Sequence, residues 1–308
     1  MTFKMQAENF MTQIETRKRN PARRNTLASY RSLLDRQILP FLGELPLENV
    51  QNGVIRGFVQ RLAETEKSTA TILAVVSLVK NVVKSAVDQD GNQLDPRTWN
   101  NTFMDLPELT PNGQNTPVAT PETIRKAISG AIGQDKALYA LLAGSGLRCG
   151  EALALMVGPD DGLNSFWDPQ TGIATIRTTM VRGKIQPAPK TEAGIRQVDL
   201  HPNLNLFLCQ LLLEGKLTRH GLLFPGRSGN RARYDRAAEA DISGFHSFRR
   251  FRITHLRNAG VPESIIRFWV GHADKSITDR YDKSSQDIEI RKTWTRKAGL
   301  GFSLGVAA

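Results

Sequence analysis

Two cysteines, Cys149 and Cys209, are all that this 308-residue chain contains. So few exclude a disulfide framework and fit a reducing compartment. Neither has a second cysteine or a histidine at metal-ligand spacing. No apolar run approaches the length of a membrane span. The opening MTFKMQAENFMTQIETRKR lacks the apolar stretch of a signal peptide. The chain therefore reads as soluble and cytoplasmic, with no membrane partner. A glycine loop of the Walker type is missing, which argues against ATP. Carboxylates are not clustered to hold a metal. Asp160-Asp161 is the only adjacent acid pair, and it lies between Pro159 and Gly162, where a solvated turn is the plain explanation. No internal repeat is evident.

What is present is positive charge. Lysine and arginine number 41 against 30 acids, a formal charge of +11. A globular protein this basic ordinarily meets a polyanion, with nucleic acid the default; a merely charged, soluble surface is the alternative. Hydrophobic residues make up 40% of the chain, enough for a sizeable core. The length allows one large domain or two ordinary ones.

Residues 1–92 read as a helical domain. TLASYRSLLDRQILPFLGEL carries Leu27, Tyr30, Leu34 and Ile38 at helical spacing, and Pro40 and Gly43 end the pattern. VIRGFVQRLAE and TATILAVVSLVKNVVKSAV predict two more helices, each with a basic face. One such face is ordinarily just solvated; several in a small domain favour a surface turned to DNA. Residues 93–116 are rich in Pro, Gly, Asn and Thr and read as a linker. Thr120-Pro121-Glu122 is a helix start, early in a second domain over 117–298 with a tail to 308.

That domain begins with helices near 124–131 and 136–142. GIATIRTTMV alternates and is β-branched, a strand. KIQPAPK and IRQVDL are expected to form a hairpin through a TEAG turn. NLFLCQLLLEG, HSFRRFRITHLRNAG and PESIIRFWVGH return to helix. The fold class is mainly α with a small antiparallel β-sheet, which is neither a Rossmann nor a barrel pattern.

Four stretches carry candidate chemistry. In GSGLRCGEALAL, Arg148 sits in small, apolar surroundings. Burying that charge unpaired is expensive, so either Glu151 or an external anion must meet it. In HSFRRFRITHLRNAG, a helix puts His246, Arg249 and Arg250 on roughly one face, suited to a phosphate. Phe248, Phe251, Ile253 and Leu256 supply the packed side, and His255 belongs with them. PESIIRFWVGH has Ile265, Ile266, Trp269 and Val270 as a core stripe, with Gly271 ending the helix and His272 on the turn. Tyr281 follows in polar surroundings. Singly, each of these residues has an ordinary structural explanation.

Taken in order, GSGLRCGEALAL, PKTEAGIRQVDL, HSFRR, VGHAD and Tyr281 closely resemble the tyrosine recombinases, the phage-type integrase family. The resemblance spans nearly the whole chain. Phe248 and Val270 stand where the family usually has leucine, and Ala273 where it has a small polar residue. The resemblance implies an N-terminal helical core-binding domain and a mixed α/β catalytic domain, forming a C-shaped clamp on duplex DNA. It implies a site-specific recombinase that cuts and rejoins DNA through a 3′-phosphotyrosyl link. Arg148 and Arg249 would clamp the scissile phosphate and Tyr281 would attack it. His246 would take the phenolic proton or bond the phosphate. Lys190, rather than Lys184, would protonate the leaving 5′-oxygen, and His272 would add a hydrogen bond. Glu151 is left with packing and charge balance.

The expected partners are double-stranded DNA with paired recombination sites, three further copies of the chain in a homotetramer, and optional accessory DNA-bending proteins. No metal, cofactor or ATP is expected, and the protein is placed with the nucleoid. Two alternatives remain on the sequence: a topoisomerase or nickase using the same tyrosine chemistry, and a DNA-binding regulator that keeps the fold without catalysis.

Overall fold

The computed structural model describes residues 1–109, 118–158, 160–187, 195–225, 237–272 and 284–304. The chain divides into two compact units, residues 1–115 and 116–308.

The first unit is helical. Helix α1 (Phe3–Thr16) buries Phe3, Ala7, Phe10, Met11 and Ile14, the i, i+4, i+7 pattern of one face. The Thr2 hydroxyl caps it by accepting from the Met5 N–H. Helix α2 (Arg24–Leu33) runs through a π-helical turn (Leu34–Ile38) into a short helix α3 (Leu39–Leu42). Pro40 therefore does not end the helix, as its sequence position suggested. The wider π turn precedes it and takes up the disruption that a proline without an N–H causes. Gly43 follows as the C-cap. Helices α4 (Asn52–Glu64) and α5 (Thr69–Lys84) close the bundle around Ile55, Phe58, Val75, Val79 and Val82. Met104, in the stretch read as linker, is fully buried in this core, with Trp99 and Leu106 packed against it.

The second unit is built around helix α7 (Gly133–Ser145), whose alanines and leucines are buried all round. Such a helix has no polar face because protein surrounds it. Helix α6 (Pro121–Gly130) precedes it, capped by the Thr120 hydroxyl and started by Pro121 as its sequence predicts. Helix α8 (Cys149–Leu153) follows.

Five strands form one sheet: β1 (Met156–Val157), β2 (Phe166–Asp168), β3 (Ile173–Ile176), β6 (Arg196–Asp199) and β7 (Gly221–Leu222), in the order β6-β3-β2-β1-β7. It is antiparallel except for the β1–β2 pair. Strands β4 (Thr178–Val181) and β5 (Lys184–Pro187) form a separate hairpin. GIATIRTTMV is thus two strands that break at Arg177. The expected KIQPAPK–IRQVDL hairpin is corrected in its described residues, where Lys184–Pro187 pairs with β4 and Arg196–Asp199 with β3; the TEAG turn lies outside them. The tight turn is Arg182-Gly183, both at positive φ, the geometry of a two-residue hairpin loop.

Helices α9 (Pro202–Leu213), α10 (His246–Asn258), α11 (Glu263–Val270) and α12 (Ile288–Ala298) complete the unit. Phe248, Phe251 and Leu256 of α10 and Ile265, Ile266 and Trp269 of α11 join the main core. His255 stacks on Phe251 and bonds the Ala298 carbonyl at 2.8 Å, a structural histidine.

Candidate active site

Arg148 is the N-cap of α8, two residues after the left-handed Gly146 that ends α7. Its backbone N–H donates to Glu151 Oε2 at 2.9 Å, so the carboxylate caps the start of α8. Its guanidinium Nη1 donates to Glu151 Oε1 at 2.8 Å. Of the two ways of meeting the Arg148 charge, the structure supplies the internal one, but only in part. Glu151 is shared. Arg196 on β6 donates to the same carboxylate, Nη2 to Oε2 at 2.8 Å and Nη1 to Oε1 at 3.3 Å, and its Nε donates to the Trp269 carbonyl at 2.7 Å. The Arg148 side chain is 41% exposed, whereas Glu151 and Arg196 are buried. Burial alone would raise the Glu151 pKa, but Arg196 and then Arg148 outweigh it and hold the carboxyl below its ordinary range.

Arg249 comes from α10 and is 2% exposed. Its Nη1 donates to the Gly146 carbonyl at 2.9 Å and its Nη2 to the Val270 carbonyl at 2.6 Å. These bonds tie α10 to both glycine-ended helices, α7 and α11. Among the described residues no carboxylate pairs with it. Burial and the nearby Arg148 push its pKa down to about 10, still far above neutrality. Arg249 Nη2 also lies 3.0 Å from His272 Nε2. A guanidinium can only donate, so His272 Nε2 must accept, and the imidazole is neutral with its proton on Nδ1. Partial burial and then Arg249 and Arg148 lower the His272 pKa. His246, at the start of α10, is largely open to solvent, and partial desolvation followed by Arg249, Arg250 and Arg148 lowers its pKa as well. Both imidazoles are neutral near pH 7.

Gly271 shows how tightly this is built. Its φ is +65°, the left-handed cap of α11, and a Cβ there would lie 2.8 Å from Arg196 Nη1 and 2.9 Å from its guanidinium carbon. The sequence predicts Gly271 as a helix end; the structure adds that Arg196 needs the space.

Arg148, Arg249 and His272 are therefore brought together, with His246 on the same helix as Arg249. Lys190 and Tyr281 lie outside the described residues. Lys184 begins β5 in an exposed position. Sequence reasoning missed Arg196. The signal was an arginine inside a short β-pattern, where a buried charge demands a partner. Among the described residues no group of three or more His, Cys, Asp or Glu side chains is placed to hold a metal ion. Asp160 and Asp161 are fully engaged in turn bonding and a pair with Arg177.

No protein-family model matches the chain, and no curated protein sequence does. Solved structures do. The Tn1549 transposon integrase, in complex with transposon right end DNA, superposes with a TM-score of 0.67 at 18% identity, covering 95% of this chain and 99% of that one. A lambda integrase(75-356) dimer bound to a COC′ core site gives 0.62 at 14% identity, covering 92% and 98%. A lambda integrase tetramer bound to a Holliday junction gives 0.60 at 14% identity, covering 92% and 80%. The chain has the fold of these integrases.

Proposed function

We propose that this protein is a site-specific DNA recombinase that cuts and rejoins duplex DNA through a 3′-phosphotyrosyl intermediate, without metal or ATP. The observation that carries this reading is that Arg148 shares its one carboxylate, Glu151, with Arg196, while Arg249, paired with no described carboxylate, bonds His272. Three guanidiniums to one carboxylate leave positive charge for an anion, and paired arginines match the non-bridging oxygens of a phosphodiester.

The sharing explains how Arg148 is released. When a phosphate draws its guanidinium away, Glu151 keeps Arg196 and the Arg148 backbone N–H, so no buried carboxylate is stranded. Arg148, half exposed, meets the phosphate first. Arg249 comes into reach as His272, its Nη2 partner, gives way to the phosphate. His272 then offers its Nδ1 proton as a donor. Charge grows on the phosphate oxygens as five-coordinate phosphorus forms, so this clamp favours the transition state over the ground state.

In the chemical step the Tyr281 oxygen attacks phosphorus and the bond to the 5′-oxygen breaks. A phenol with a pKa of about 10 needs a base, and neutral His246 takes its proton. Lys190 gives a proton to the departing 5′-oxygen. Attack by another strand's 5′-hydroxyl on the phosphotyrosine reverses the step and seals the new joint. The bond energy is conserved, so ATP has no role. We take the working assembly to be four protomers on two DNA sites, by analogy with the lambda integrase tetramer.

The deciding experiment is Tyr281→Phe on a nicked suicide substrate. Covalent protein–DNA adduct should vanish while non-covalent binding stays nearly intact. Adduct formation by the Phe variant would assign the nucleophile elsewhere.

A further inference from the structure

Strand β6 does more than carry Arg196. Alternation along the strand sends Gln197 and Asp199 to one face, and both receive the same arginine. Arg291 of α12 donates Nε to Asp199 Oδ2 at 2.7 Å and Nη2 to Gln197 Oε1 at 3.1 Å. The Trp269 indole of α11 donates to that same Asp199 Oδ2, also at 2.7 Å. Arg291 continues to the Ser285 carbonyl, Nη1 to O at 3.0 Å, and its guanidinium lies over the Phe268 ring at 4.8 Å. The Asp199 and Arg291 side chains are 2% and 3% exposed. One carboxylate oxygen thus joins β6, α11 and α12.

These attachments lie on either side of one stretch of chain. Trp269 is followed within three residues by His272, the histidine bonded to Arg249. Ser285 comes four residues after Tyr281. Through Trp269 and Arg291, Asp199 therefore holds both described flanks of the sequence that carries Tyr281. Stability is a weak explanation for the arrangement, since a buried ion pair can usually be replaced by apolar packing of equal volume at little cost. What apolar packing cannot supply is two directional bonds converging on one oxygen.

We propose that Asp199 is a positioning residue for strand cleavage: it fixes the spacing between His272 and Ser285, and so the approach of the nucleophile-bearing chain to the arginine-bound phosphate. This role rests on the recombinase reading above.

The test uses the full chain with Asp199→Leu, which keeps a similar volume but removes both acceptor oxygens. Three quantities are measured: the Kd for DNA, the single-turnover adduct rate at saturating DNA, and cleavage by hydrogen peroxide in a Tyr281→Phe background. In the peroxide reaction the hydroperoxide anion attacks phosphorus in the tyrosine's place. The bond to the 5′-oxygen breaks and that oxygen takes up a proton. This reports phosphate activation without the tyrosine. Misplacing a nucleophile by an ångström costs about ten- to a hundredfold, and the adduct rate should fall by that much. Kd and peroxide cleavage should each stay within about twofold, because neither uses the positioned tyrosine.

An unchanged adduct rate overturns the role. So does a parallel fall in adduct and peroxide rates, which would mark general damage. Should Asp199→Leu not fold, Trp269→Phe removes one of the two bonds, keeps a ring in the core, and is judged by the same three readouts. Absence of any adduct from the unmodified chain overturns the recombinase reading and this role with it, an outcome distinct from the others.

Discussion

His272 accepts a hydrogen bond from a guanidinium, which only a neutral imidazole can do. Its pKa is depressed accordingly, by desolvation and then by Arg249 and Arg148, and desolvation and the same two arginines, with Arg250, also lower that of His246. In the folded protein both rings resist protonation, so as pH falls through the ordinary histidine value the unfolded chain binds protons first and stability declines. Glu151 adds a second, more acidic window. Its folded pKa is also depressed, so its contribution is present above the ordinary carboxylate range and is lost as pH falls through the folded value. In an NMR titration of the free protein, His272 should titrate below an ordinary histidine, and Arg249→Met should move it upward. A His272 value at or above the ordinary one would contradict the bond as drawn. The sequence made some of this legible. Arg148 and Glu151 are three residues apart, so their pairing is local and could be anticipated. Arg196 reaches Glu151 45 positions away, Trp269 reaches Asp199 70 away and Arg291 reaches Asp199 92 away, and no short-range pattern encodes that. Lys190 and Tyr281 rest on motif order alone.

Helix α11 is short, and what matters is how it stops. Its left-handed Gly271 turns the chain so that His272 reaches Arg249, and leaves room for the Arg196 guanidinium. Gly271→Ala should destabilise the second unit by roughly 2 kcal/mol or more, from left-handed backbone strain plus the clash. Equilibrium urea unfolding would measure it, and a change within about 0.5 kcal/mol, the ordinary scatter of surface substitutions, would refute the tight fit. The helix itself was legible because Ile265, Ile266, Trp269 and Val270 repeat with helical period and all are buried. Strand partners were harder. Alternation identifies a strand but not its neighbour, and KIQPAPK was matched to IRQVDL because they adjoin. The Arg182-Gly183 dipeptide was the better local signal, since a two-residue loop needs two residues at positive φ. Pro40 misled for a related reason: a proline stops a regular α-helix, yet a π turn one step earlier lets the helix continue.

Over the whole molecule, a charge of +11 has to be read as a long-range field as well as a set of contacts. If the protein encloses duplex DNA through about six to ten phosphates, affinity should drop about a thousandfold or more between roughly 50 and 200 mM salt. Adduct formation should persist in excess EDTA. A flat salt response, or strict dependence on Mg²⁺, would overturn the proposed mechanism. Among the described residues no helix is long and apolar enough to cross a membrane. The sequence distances within the site have a further consequence, for the order in which the protein comes into being. Arg249 reaches back 103 positions to Gly146, Arg196 forward 73 to Trp269, and Arg291 back 92 to Asp199. The first unit closes on contacts among its own early residues and can fold while the rest is still being synthesised. A chain halted before Arg291 lacks the arginine that joins Asp199 to the Ser285 carbonyl. On the proposed reading, such a product would bind DNA without cutting it.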